Sequence, residues 1–256
     1  MTLAGIRHRL TEGLPPLAVR TLRLARTEAA ALGAFLVMAM SGLLFLDLAE
    51  EMAEQGDRGL DYEVLEALRV PGDAGNPIGP WWVEEAAADL TSLGGISVLS
   101  LFTLLAVTYL LLQRHRGAAL RLVLGLIGAV GLSEGLKSVF ERERPPVAYQ
   151  AVETLNASFP SGHALLATVF YLSLGTLVAQ GLTRRRDKAW VLGAAGLLAL
   201  TVGLTRVYLG AHWLSDVLAG GCVGAAWAMG LWLAAWALER YGRHREARLA
   251  RQAPPA

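Results

Sequence analysis

Three short polar blocks interrupt a chain that is 54% hydrophobic. The first is K-S-V-F-E-R-E-R-P, from Lys137 to Pro145. The second is P-S-G-H, from Pro160 to His163, and the third is T-R-V-Y-L-G-A-H-W-L-S-D, from Thr205 to Asp216. Together they hold the cations Lys137, Arg144 and Arg206, the imidazoles His163 and His212, the carboxylate of Asp216 and a Ser161-Gly162 turn. That inventory suits a phosphate ester. Cations and backbone N–H groups hold the oxyanions, one imidazole attacks, and the other protonates the leaving group.

Each block also has a plainer reading. Lys137 and Arg144 are two helical turns apart and share a face if their helix runs that far. They could equally be a snorkelling pair at a helix end, although Pro145-Pro146 stops the helix and fixes Arg144. Ser161 is the expected N-cap of a helix whose free N–H groups attract anions, and Gly162 lets backbone approach a ligand closely. Capping alone leaves His163 unexplained. His212 and Asp216 are four apart and so are expected to share a helix face. A carboxylate on one ring nitrogen fixes the tautomer and leaves the other nitrogen as a nucleophile. A structural His-Asp pair or a metal site are the alternatives, but three nearby cations repel a divalent ion and suit an anion. Glu134, Glu141, Arg142 and Glu143 flank the blocks and are expected to be structural.

The elements that carry these blocks are membrane helices. Mean hydropathy is +0.42. The net charge of +1 gives no case for a nucleic-acid partner. The lone Cys222 excludes an intrachain disulfide and a cysteine-rich zinc site. Apolar runs predict six spans at about 29–46, 90–113, 122–136, 164–182, 189–204 and 217–238. The first is read as a retained anchor, since no small-x-small cleavage site follows it. Gly125, Gly128 and Gly131 are expected to let the third span approach its neighbours.

Charge along the chain predicts the topology. Residues 1–28 carry Arg7, Arg9, Arg20, Arg23 and Arg26, and residues 239–256 carry Arg240, Arg243, Arg245, Arg248 and Arg251. With 114–121 and 184–188, these basic stretches fall on one side of six spans, which the positive-inside rule makes cytoplasmic. The acidic loop 47–89 and all three polar blocks fall on the other side. Within that loop Leu60, Val64, Leu65 and Leu68 predict a short amphipathic helix, residues 71–80 a turn, and Trp81-Trp82 an interfacial anchor. Residues 50–80 of the loop are expected to lie on the outer membrane surface and shape lipid entry, outside the chemistry. Residues 141–162, Ser158 among them, are expected outside.

The blocks resemble those of the type 2 phosphatidic acid phosphatase family, which shares its site with vanadium haloperoxidases. The family pattern is K-x6-R-P, P-S-G-H and S-R-x5-H-x3-D; the only departure is Thr205 in place of Ser, which keeps the hydroxyl. The resemblance covers about residues 90–238. The six spans and the charge pattern already predict an all-α polytopic membrane bundle with both termini cytoplasmic; the resemblance adds the roles. His212 would be the nucleophile that forms a phosphohistidine, Asp216 would orient it, and His163 would be the general acid. Lys137, Arg144, Ser161, Gly162 and Arg206 would hold the phosphoryl oxygens, with no metal and no cofactor.

The expected substrate is a lipid phosphate in the bilayer: undecaprenyl diphosphate, phosphatidylglycerophosphate, phosphatidate or a lipid A phosphate. The expected location is the inner or plasma membrane, with the site facing the periplasm or exterior and no protein partner implied. A phosphotransferase of the same family and a non-enzymatic transporter are the competing readings. The transporter is disfavoured because the charges cluster at one boundary and not at mid-membrane.

Overall fold

The structure, a computed structural model, describes residues 16–55, 59–152 and 156–252. Its helices are α1 (Pro16–Gln55), α2 (Leu60–Ala67), α3 (Trp81–Ser92), α4 (Ile96–Leu112), α5 (Arg116–Phe140), α6 (Gly162–Gly181), α7 (Arg185–Tyr208) and α8 (Leu214–Gln252). Strands β1 (Arg69–Val70) and β2 (Asp73–Pro77) form a small antiparallel hairpin where only a turn was expected. The basic N-terminal residues 1–15 and the end of the tail, 253–256, lie outside the described residues, as do Asp57 and Arg58 of the acidic loop.

Among the described residues, five helices are long and apolar enough to cross a membrane. A sixth span exists if α3 and α4 are taken together, but they meet at 48°. The expected straight second span is therefore broken. The cause lies in Leu93-Gly94-Gly95. A Cβ on Gly94 would sit 2.3 Å from Val202 Cγ1, so α7 packs directly against the break. Trp81 and Trp82 open α3 and are exposed. The first span also runs on past Leu46, to Glu54, because the helix continues into the acidic stretch.

The central helix is α6. Its Leu165, Ala167 and Val169 are buried against Leu99 of α4, Ala129 of α5, and Ala195, Ala199 and Val202 of α7. Small residues bring these backbones together, as membrane packing favours. The three glycines of α5 do not contribute equally. A Cβ on Gly128 would lie 2.2 Å from the Trp227 ring of α8, whereas one on Gly131 would meet nothing within 4 Å. Outward-facing Phe35, Leu36, Leu104, Leu105, Ile127 and Leu197 give the bundle an apolar surface.

The ends of α5, α6, α7 and α8 that carry the polar blocks meet at one end of the bundle. Helix α2 covers them, with Val64 and Leu68 packed against Ala164, Val207 and Val217. Leu65 of α2 is buried but Leu60 is exposed, so the inner face of this helix is not the full apolar set expected. Ser158 is buried as well.

Candidate active site

The chain leaves α5 through Glu141, in a left-handed conformation (φ 45°), and does not continue as helix. Lys137 therefore stays on the last turn of α5, while Arg144 lies in the loop and does not share its helix face. Carbonyl groups hold Arg144 in place. Its Nε donates to Asn156 O (2.5 Å) and its Nη1 to Ala211 O (2.6 Å). The same Nη1 lies 3.2 Å from Nε2 of His212.

His212 is also off the helix, two residues before α8, and Asp216 is in the first turn. The carboxylate still reaches back. Oδ2 accepts from the Trp213 backbone N–H at 3.0 Å, like the returning arm of a capping box, and lies 3.4 Å from His212 Nδ1. Ser158 Oγ donates to the same Oδ2 and lies 3.3 Å from His212 Nδ1. Nδ1–H thus faces two oxygens and Nε2 faces a guanidinium N–H. Both sides select the tautomer with the proton on Nδ1 and the lone pair on Nε2. Burial drives the His212 imidazole down to about 4; Asp216 opposes that fall, and Arg144 and Arg206 add to it. Burial also lowers the Arg144 guanidinium, with Asp216 opposing.

Ser161 stands at the N-cap position of α6, but its side chain makes no cap bond. Its Oγ is buried and has no hydrogen-bond partner among the described residues. Capping therefore does not account for this serine. Gly162 brings the start of α6 close to α5: a Cβ there would lie 3.0 Å from Ser133 Oγ and 3.7 Å from Lys137 Nζ. Arg206, in the last turn of α7, has a buried Nε that is also unpartnered, and its Nη1 reaches Thr91 Oγ1 at 3.5 Å.

Lys137, Arg144, Gly162, His163, Arg206 and His212 all line one cavity of about 520 Å³. Ser161 and Asp216 are buried and do not themselves line it. The arrangement gathers three cations, a helix N-terminus and two imidazoles, so it can neutralise a phosphoryl group and move protons around it. No cluster of metal-ligating side chains occurs among the described residues. Ile96, Val130 and Leu166 line the same cavity and give it an apolar side.

Five residues found here, Ser158, Ser133, Arg142, Asp61 and Glu134, were given no part in the site from the sequence. Ser158 touches both His212 and Asp216, and nothing in its neighbourhood of the sequence marks it. Ser133 lines the cavity one helical turn before Lys137, a spacing that could have flagged it. Arg142 is more than a flanking charge: its Nη1 donates to Asp216 Oδ1 (2.7 Å) and its Nη2 to Asp61 Oδ2 (2.8 Å). Asp61 comes from α2, so the acidic loop touches the site's framework. Glu134 pairs with Lys137 at 3.6 Å and also lines the cavity.

A model of the PAP2 superfamily matches residues 118–240. Phosphatidylglycerophosphatase B of Bacillus subtilis is 32% identical over 144 residues, which cover 56% of this chain and 70% of that protein. The chain belongs to the PAP2 superfamily. A second relative, an undecaprenyl-diphosphatase of Sulfolobus acidocaldarius, is 31% identical over 129 residues, 48% of this chain and 55% of the relative. Among solved structures, a transmembrane PAP2 type phosphatidylglycerolphosphate phosphatase from Bacillus subtilis superposes with a TM-score of 0.69 at 28% identity, covering 76% of this chain and 93% of that one. Aquifex aeolicus LpxE shares the fold, with a TM-score of 0.51 at 24% identity over 68% of this chain and 96% of that one. This PAP2 protein is thus a multi-pass membrane phosphatase of the lipid phosphatase class. The expected helical bundle and phosphatase activity are borne out.

Proposed function

We propose that this protein hydrolyses a lipid phosphomonoester or diphosphate at the outer membrane face through a phosphohistidine on His212. Lys137, Arg144, Arg206, the Ser161 hydroxyl and the N–H groups at Gly162 hold the phosphoryl oxygens. His212 Nε2 attacks phosphorus and forms the P–N bond while the bond to the leaving oxygen breaks. His163 gives that oxygen its proton. Water then attacks phosphorus, the P–N bond breaks, and the water's proton passes to His163. Asp216 and Ser158 hold Nδ1–H throughout and stabilise the positive charge that develops on the ring.

The observation that carries this reading is the convergence of three cations and both imidazoles on one cavity; the Nε of Arg206, which lines it, and the hydroxyl of Ser161, next to the lining Gly162, are buried without partners among the described residues. The apolar side made by Ile96, Val130 and Leu166 supports a lipid substrate whose tail stays in the bilayer. Alternation of basic and acidic loops supports the outward orientation, with both termini cytoplasmic. The relatives' names support phosphatidylglycerophosphate and undecaprenyl diphosphate as the first substrates to try.

Purified protein in mixed micelles, given a panel of lipid phosphates and diphosphates, should release inorganic phosphate from at least one. With that substrate labelled in the transferred phosphate, an acid-labile, alkali-stable phosphoprotein should be trapped in the wild type and be absent from His212→Ala. Turnover without such a species under rapid quench would count against the covalent route.

A further inference from the structure

Asp216 is buried, and its Oδ1 is held by Arg142. A carboxylate gripped by an arginine loses much of its field, because the two charges cancel at short range. That would weaken the carboxylate that supports a positive charge on His212. The structure contains a remedy. Asp61, on the first turn of α2, holds the other end of the same guanidinium at 2.8 Å. The side chains of Arg142, Asp216 and Asp61 are 4%, 0% and 14% exposed, so water screens this chain of charges little. Two carboxylates on one guanidinium leave the group with one net negative charge. Together they also outweigh the burial that opposes Arg142's charge and raise its guanidinium pKa. Asp61 is fixed in turn by the Ser215 backbone N–H, which donates to its Oδ1 at 2.9 Å, and by the Ser215 hydroxyl, which donates to Oδ2. Ser215 also accepts from Arg142 Nη1 at 2.7 Å.

We propose that Asp61 is a positioning residue for the reaction: it neutralises Arg142 from the far side, so that Arg142 fixes Asp216 without cancelling the charge Asp216 presents to His212. The assignment rests on His212 being the nucleophile. It gives the acidic segment a part in the chemistry, acting through Arg142 and Asp216 on a histidine it never touches.

The test uses the full-length protein in detergent with a short-chain lipid phosphate, comparing wild type, Asp61→Asn, Arg142→Gln, the double variant and Leu65→Ala. Asp61→Asn should lower kcat about 10- to 100-fold, as loss of an outer partner does at other catalytic centres, with KM within about twofold. In the Arg142→Gln background the same Asp61 change should alter kcat by less than about twofold, because its route of action is gone. The Ser215 bonds remain there, so a residue that merely held α2 in place would cost the same in both backgrounds. Leu65→Ala loosens the buried face of α2 and should leave kcat near the wild-type value. An unchanged kcat in Asp61→Asn, a loss confined to KM, equal losses in both backgrounds, or a Leu65→Ala variant that reproduces the kcat loss would each overturn the assignment. Should Asp61→Asn not yield folded protein, the Leu65→Ala result alone still decides whether disturbing α2 suffices. A wild type that releases no phosphate defeats the proposed reaction instead, and the two failures are distinguishable.

Discussion

Nη1 of Arg144 lies 3.2 Å from Nε2 of His212, within reach of the lone pair that a nucleophilic imidazole would use. The same guanidinium is held by the carbonyl of Ala211, the residue before His212. One arginine therefore sets both the backbone and the ring of the histidine. A phosphoryl oxygen drawn to Arg144 would arrive beside Nε2, so binding the anion and aiming the nucleophile become one event.

The first prediction concerns proton affinity. To act as the proposed nucleophile, His212 must be neutral. Burial holds its imidazole down to about 4, against the opposing pull of Asp216. It should therefore remain competent well below the ordinary histidine value of about 6.5, and lose competence only as pH falls toward 4. Histidine-selective NMR in detergent, assigned with His212→Ala, reads this directly. A His212 resonance titrating at or above the ordinary value would contradict it.

The two histidines should differ in how they depend on the leaving group. His212→Ala should be inactive on every substrate. His163→Ala should lose about 10²–10⁴-fold on a lipid monophosphate, whose alcohol needs a proton, and much less on p-nitrophenyl phosphate. Steady-state rates on both substrates decide it. Equal sensitivity of the two variants to the leaving group would show that the roles are wrongly divided.

Metal removal should leave activity intact. Lys137, Arg144 and Arg206 already supply the positive charge that magnesium provides in other phosphoryl transfers. Full turnover in excess EDTA is expected, together with inhibition by vanadate, whose trigonal bipyramidal adduct mimics the transition state. A loss in EDTA that zinc or magnesium restores would refute this.

Topology can be read by labelling, but not at Ser158, which is buried. Val147 in the same loop is 84% exposed. Cysteine there, in a Cys222→Ala background, should react with an impermeant maleimide on intact cells, and cysteine at Thr183 should not. The reverse pattern would invert the assigned orientation.

A packing prediction follows from α5. Gly128→Ala would push a methyl group into the Trp227 ring and should cost about 1–3 kcal/mol, while Gly131→Ala, with open space around it, should cost less than that. Thermal denaturation of the two variants in the same detergent compares them.

Most of the spans, and the six expected site residues that line the cavity, could be read from the sequence because their signals are local. Apolar runs mark helices whatever they pack against, and Lys137, Arg144, His163 and His212 carry chemistry at fixed spacing. The break at Gly94 could not be read that way, since its cause is Val202, far along the chain. Arg144 and His212 were expected on helix faces, but Glu141 and Trp213 mark helix ends that spacing alone does not reveal. Asp61 looked like one more acid in an acidic loop. Its importance depends on Arg142 and Ser215, which tertiary folding brings to it.

The cavity has a cationic floor and an apolar side of Ile96, Val130 and Leu166. A substrate that keeps its tail among lipids reaches such a site by lateral diffusion, as a solute in two dimensions. Its working concentration is then a mole fraction of the surrounding amphiphile, independent of the volume of the aqueous phase. Adding inert detergent at constant bulk substrate should slow the enzyme, whereas a short phosphate dissolved in water, bound by the floor alone, should be turned over at an unchanged rate.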